Sequence, residues 1–148
     1  MTDPYARKLV NRSFYAAKED VNGRVVVVLK GLLENRSLNL ITPISRTFAA
    51  RTIIELIGTD EVAAAPGETV QRIAYLAFVE LLDPAVLVAG DPVSINGKNV
   101  GTLVGFDDTH MPNHQNTILR MEKRVSGADL GLHPGDHVCI HGISTTPS

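Results

Sequence analysis

Hydrophobic positions change their period several times along the chain, and each change marks an element. Residues 24 to 34, RVVVVLKGLLE, hold four consecutive valines. Their branched β-carbons are stiff at χ1 and suit a pleated sheet better than a helix. No polar residue alternates across Val25 to Leu29, which predicts a strand covered on both faces. Upstream, LVNRSFYAA (9 to 17) reads as a first strand, with turn chemistry at Asp20, Asn22 and Gly23. SLNLI (37 to 41) extends the β region.

The period then shifts in TPISRTFAARTIIELIG, where Ile44, Phe48, Ile53 or Ile54, and Ile57 approximate a helical stripe. Thr42 suits an N-cap, Pro43 the first helical position and Gly58 the exit, so one α-helix is expected over 43 to 57. Residues 70 to 82, VQRIAYLAFVELL, fit a helix through Val70, Ile73, Ala77 and Leu81. They fit a strand face equally well through Ile73, Tyr75, Ala77 and Val79. Periodicity does not decide between them.

The second half is more explicit. Asn96-Gly97 stands between two β-type runs and predicts a type I′ hairpin turn. On the returning strand Val100, Thr102, Val104 and Phe106 are expected to share a face, while Gly101 and Gly105 mark a bulge or barrel corner. QNTILRMEKRV (115 to 125) is the next strand, and LGLHPGDHVCIHGI closes with a Pro-Gly turn and a last strand. Short strands, glycine corners and one helix predict a mainly β fold: a small closed or nearly closed antiparallel β-barrel with one α-helix.

Composition bounds the reading without naming a reaction. At 148 residues the chain is expected to be one domain, 1 to 148, with a loose tail at 144 to 148. A net charge of -2 gives no electrostatic footprint for nucleic acid. One cysteine excludes an internal disulfide, and neither a signal peptide nor an apolar span is visible, so a cytoplasmic location is expected. Phosphate-binding loops, dinucleotide fingerprints and nucleophile elbows are absent, and no cofactor is expected.

Chemistry-bearing residues fall in three places. GFDDTHMPNHQNT sets His110 and His114 four apart after Asp107 and Asp108. A helical pair of this spacing can chelate zinc, but Pro112 breaks the helix, so a turn is predicted and no metal is assigned. His110, Met111 and His114 then become candidates for ligand contact at a barrel mouth. In His137-Val138-Cys139-Ile140-His141, strand alternation puts His137, Cys139 and His141 on one face. The outer two would lie about 13 Å apart at ~3.3 Å per residue, too far for one metal. Glu80, inside the apolar run AYLAFVELLDP, is the candidate buried acid or base.

From Gly90 onward, GDPVSINGKNVGTLVGFDD, QNTILRMEK and LHPGDHVCI resemble the glucitol/sorbitol-type IIA components of the sugar phosphotransferase system, which are small β-barrels. The resemblance implies a barrel and favours a strand for 70 to 82. It does not carry the phosphocarrier role, because Phe78 and Glu80 stand where that family's histidines would fall. In architecture and in its missing motifs the chain is also similar to the small β-barrel cyclases of polyketide biosynthesis, which act by confining a flexible substrate.

The expectation from these features is a barrel that binds a hydrophobic small molecule, as a cyclase or isomerase without cofactor. Tyr75, Phe78 and Phe106 would line the cavity, with His110, Met111 and His114 at its mouth and Glu80 as acid or base. The alternatives are a non-enzymatic binding or regulatory protein and, further off, a metal-dependent enzyme using His110 and His114. Nucleic-acid and membrane partners are not expected. A homodimer is expected if the barrel leaves an open strand edge.

Overall fold

A computed structural model of the chain describes residues 14 to 143. The strands are β1 (Val21–Val28), β2 (Leu32–Leu33), β3 (Leu38–Asn39), β4 (Ser45–Phe48), β5 (Ile53–Thr59) and β6 (Thr69–Val70). They continue with β7 (Ile73–Leu81), β8 (Ala85–Val88), β9 (Pro92–Ile95), β10 (Lys98–Asp107), β11 (Gln115–Arg120) and β12 (His137–Ile140). Seven of them close a barrel in the order β1-β12-β9-β10-β11-β5-β7, with β7 returning to β1 from Gly23↔Leu81 to Val28↔Ala77. The short strand β2 continues along β7, and the pairs β3–β6 and β4–β8 lie outside the ring.

The barrel is mixed, not purely antiparallel. Strand β11 runs parallel to β5, pairing Gln115 with Ile54 and Arg120 with Thr59. The expected helix over 43 to 57 is absent, and the described residues contain no α-helix. That segment instead forms β4, a turn through Arg51 (φ 74°), and β5. Its helix-like spacing has a specific origin. Strand β5 is buried on both faces: Ile54 and Leu56 point into the barrel, while Ile57 joins a second cluster outside it. Parallel strands covered on both sides lose polar alternation, and a run of isoleucines then mimics a helical stripe.

The valine run departs from expectation in the opposite sense. Val25 is fully buried, but a register shift follows it and Val27 is 46% exposed, so β1 has a core face and a solvent face. Of residues 70 to 82, Val70 ends β6 and Ile73–Leu81 form β7, so the segment is strand and not helix. The Asn96-Gly97 hairpin forms as read, with φ of 51° and 81° at the two turn residues.

On β10 the expected common face of Val104 and Phe106 does not exist. A bulge between Leu103 and Gly105 sends Leu103 and Phe106 into the barrel and Val104 into the outer cluster. Leu40 packs over the bulge at 3.1 Å from where a Gly105 Cβ would stand, which leaves little room for a side chain there. Strand β11 stops at Arg120 rather than 125. Beyond it Arg124 reaches back to donate to the Ile73 carbonyl (3.2 Å) and to pair with Glu34 (2.8 Å).

Of the expected first strand, residues 9 to 13 lie outside the described residues, as does the tail 144 to 148, and residues 14 to 17 form no strand. The barrel is held by one cluster that includes Val25, Leu56, Val79, Leu103, Phe106 and Val138. Phe106 is 0% exposed, with Phe48 against it at 6.3 Å between ring centroids. The outer cluster of Leu38, Leu40, Ile57, Val70, Ile73, Val104 and Ile118 fastens β3 and β6 to the wall, with Tyr75 against it. No helix among the described residues is long and apolar enough to cross a membrane.

Candidate functional site

The connection from β10 to β11 is a tight turn, as Pro112 requires, with a cis Met111–Pro112 peptide. Its anchor is Asp107, 2% exposed, whose carboxylate accepts from the Asn39 amide (3.0 Å), the Thr109 amide (2.9 Å) and Asn116 Nδ2 (3.1 Å). Asp107 is thereby a fastening of the loop. Asp108 turns to the surface, where it pairs with Arg46 (3.0 Å) and accepts from Gln115 Nε2 (2.8 Å). Neither aspartate belongs to the constellation that forms around the histidines.

That constellation is built by a residue the sequence reading passed over. His114 folds back so that its amide meets the His110 carbonyl at 3.3 Å, and the two imidazoles stack with centroids 5.0 Å apart and planes 28° from parallel. Nε2 of His114 lies 2.8 Å from Oε1 of Glu55 on β5, and Nδ1 lies 2.7 Å from Oδ1 of Asn113. Phe78, directly opposite Glu55 on β7, sets its ring edge-on to His114 at 4.9 Å. One potential ligand atom from each of Glu55, His110 and His114 falls within 4.8 Å of the others. The turn therefore brings the two imidazoles together without a helix.

Beside this group a cleft of about 430 Å³ opens at the barrel mouth. Phe48, Ile53, Met111 and Pro112 give it apolar walls, and Arg46, Arg51, His114 and Gln115 give it polar ones. Gln115 is 2% exposed, and its Oε1 has no hydrogen-bond partner among the described residues.

The structure thus gathers Phe78, His110, Met111 and His114 around the mouth and leaves the other candidates elsewhere. Tyr75 packs on the outer cluster, and Phe106 is part of the closed core. Glu80, with a side chain 17% exposed, lies on the barrel's outer face, 2.8 Å from Arg24 Nε and 3.8 Å from Arg51 Nη1. It touches the cleft only through Arg51.

A family model matches residues 15–141. The chain belongs to the family of unknown function DUF6917. The DUF6917 match spans the whole barrel and every residue of the mouth described above. No curated protein matches the chain, and no solved structure matches it. Of the resemblances read from the sequence, the barrel is what the structure shares.

A second group lies on β12. Val138 and Ile140 enter the core, and His137, Cys139 and His141 face outward, as alternation requires. His137 turns to Asn22 (2.9 Å), whereas Nδ1 of His141 lies 3.7 Å from Cys139 Sγ and its Nε2 lies 2.9 Å from Ser94 Oγ. Asp20, Cys139 and His141 also bring one potential ligand atom each within 4.8 Å. Burial first, and then the negative charge of Asp20, pushes the Cys139 thiol above its ordinary range, while Lys18 partly opposes them. A thiol held protonated is a poor nucleophile and a poor metal ligand.

Proposed function

We propose that the protein binds a small molecule in the cleft at the barrel mouth and that His114 and its neighbours act on what is bound there. The observation that carries this reading is Gln115, a buried side chain on the cleft wall whose Oε1 lacks a donor among the described residues. An unsatisfied buried acceptor costs on the order of 1–3 kcal/mol, and a donor group on a ligand would remove that cost once the side chain turns its Oε1 into the cleft. The size of the cleft and its apolar walls suit a small organic molecule. Arg46 and Arg51 on its rim favour one with an anionic end.

The interior of the barrel is taken up by core side chains, Phe106 among them, so the expected hydrophobic ligand is assigned to the mouth and not to the lumen. Confinement of a substrate, and with it a cyclase or isomerase reaction, is proposed for the same place. The His114–Glu55 contact supports chemistry as well as binding, because it sets an imidazole and a carboxylate side by side at the edge of the cleft. The test is a small-molecule library screened against the full chain by ligand-observed NMR, repeated with Ile53→Trp. Ile53 is 44% exposed on the cleft wall, so the larger ring fills the cleft without entering the core. Binders should be lost in that variant; finding none, or finding that they bind it equally well, would sink the reading.

A further inference from the structure

We propose that Glu55, His110 and His114 hold a divalent transition-metal ion, zinc foremost, at the edge of the mouth cleft. The inference rests on the cleft reading for its substrate, while the metal site itself stands on the three side chains.

The decisive feature is the orientation of His114. In the tautomer whose Nδ1–H donates to Asn113 Oδ1, Nε2 is left to meet the Glu55 carboxylate at 2.8 Å. With a neutral ring in this tautomer, a lone pair faces an anionic oxygen. Either a second proton or a cation must lie between them. A histidine whose far nitrogen donates to a fixed oxygen is the usual state of a metal-bound imidazole, since that bond sets tautomer and ring angle together. Glu55 and His114 have side chains only 6% and 13% exposed, so a bound ion would be shielded on their side, and Phe78 adds an apolar wall against the His114 ring.

His110 completes the donor set from an exposed loop. Its ligand atom lies within 4.8 Å of the other two, and donors around one zinc ion stand roughly 3.3 Å apart at bond lengths of ~2.0–2.1 Å. Rotation of an exposed side chain closes that difference without moving the barrel. Two imidazoles and one carboxylate suit a borderline cation such as zinc. Three protein donors leave a further position for water or for a ligand arriving from the cleft. One contact opposes the ion: Arg36 Nη2 lies 3.5 Å from His110 Nε2, and its charge must swing away. The competing set, Asp20, Cys139 and His141, is weaker because it offers one imidazole and its thiol is held protonated.

The test uses the full chain stripped with chelator and titrated with zinc alone by calorimetry, then with cobalt(II) followed by absorption. One ion per chain is expected. Glu55→Gln and His110→Ala should each weaken it by about 100-fold or more, and Asn113→Ala by about 10-fold. Arg36→Ala should tighten it. Cys139→Ser should leave it unchanged, and the cobalt spectrum should lack a thiolate charge-transfer band. His110 is an exposed loop residue, so its variant keeps the fold, which circular dichroism checks. Absence of stoichiometric binding, parent-like binding in both ligand variants, or loss in Cys139→Ser with a thiolate band would overturn the proposal. Ile53→Trp should bind zinc as the parent does. Failure of zinc binding while that variant still blocks library hits removes the metal alone; the reverse removes the cleft reading alone.

Discussion

Nε2 of His114 and Oε1 of Glu55 lie 2.8 Å apart although 59 positions separate them in the chain. The contact ties a surface loop to the wall of the barrel, because Glu55 sits in β5 between β11 and β7. In metal-free protein Glu55→Ala removes the partner of a largely buried imidazole. It should lower stability by about 1–3 kcal/mol in urea unfolding, and Glu55→Gln should lower it less because a hydrogen-bonding oxygen remains. Equal losses in the two variants would show that His114 is held by packing against Phe78 instead.

Phe106 separates a filled barrel from a hollow one. It is fully buried, with Phe48 packed against it. Phe106→Ala should therefore cost about 3–5 kcal/mol, the range for removing an aromatic ring from a close-packed core. A loss below about 1 kcal/mol would mean that the ring borders open space and that the lumen is available to a ligand.

The barrel was legible where backbone chemistry is local. Asn96-Gly97 fixes a hairpin because two successive positive φ values are demanded there, and few other residue pairs supply them. The false helix over 43 to 57 arose where tertiary cover replaced alternation. Its removal also explains why Glu55 was missed. TIIELIG and AYLAFVELL carry the same signal, a single carboxylate inside an apolar run, but only the second was read as a strand with an interior acid. In the fold the assignments exchange: Glu55 is buried against a histidine, and Glu80 is shared between two surface guanidiniums. The stacking of His110 on His114 was hidden for another reason. Pro112 rightly excluded a helix, yet a turn returns the chain on itself and restores the same side-chain proximity.

Lys18 and Asp91 form a buried ion pair at 3.0 Å, with side chains 9% and 0% exposed. Asp91 also accepts from the Val88 amide, so it braces the turn before β9. Asp91→Ala strands the lysine charge and should destabilise the protein by about 3–5 kcal/mol in thermal or urea unfolding. Adding Lys18→Met should recover a substantial part of that loss. An unchanged deficit in the double variant would assign the effect to the contacts Asp91 makes within its turn and not to the ion pair.

Cys139 gives a pH-dependent readout on the opposite strand. Burial, and next the charge of Asp20, disfavours the thiolate and raises the pKa, with Lys18 acting in the other sense. At neutral pH the reactive thiolate fraction must then be smaller than for an ordinary cysteine, and it grows only as the pH approaches the raised value. Iodoacetamide labelling of native protein should follow a rate curve displaced to higher pH than that of the urea-unfolded chain. Asp20→Asn removes a charge that opposes ionisation and should shift the native curve back toward lower pH. Lys18→Met removes one that favours it and should shift the curve further up. Superimposed native and unfolded curves would show that the thiol is not desolvated by its place beside His141.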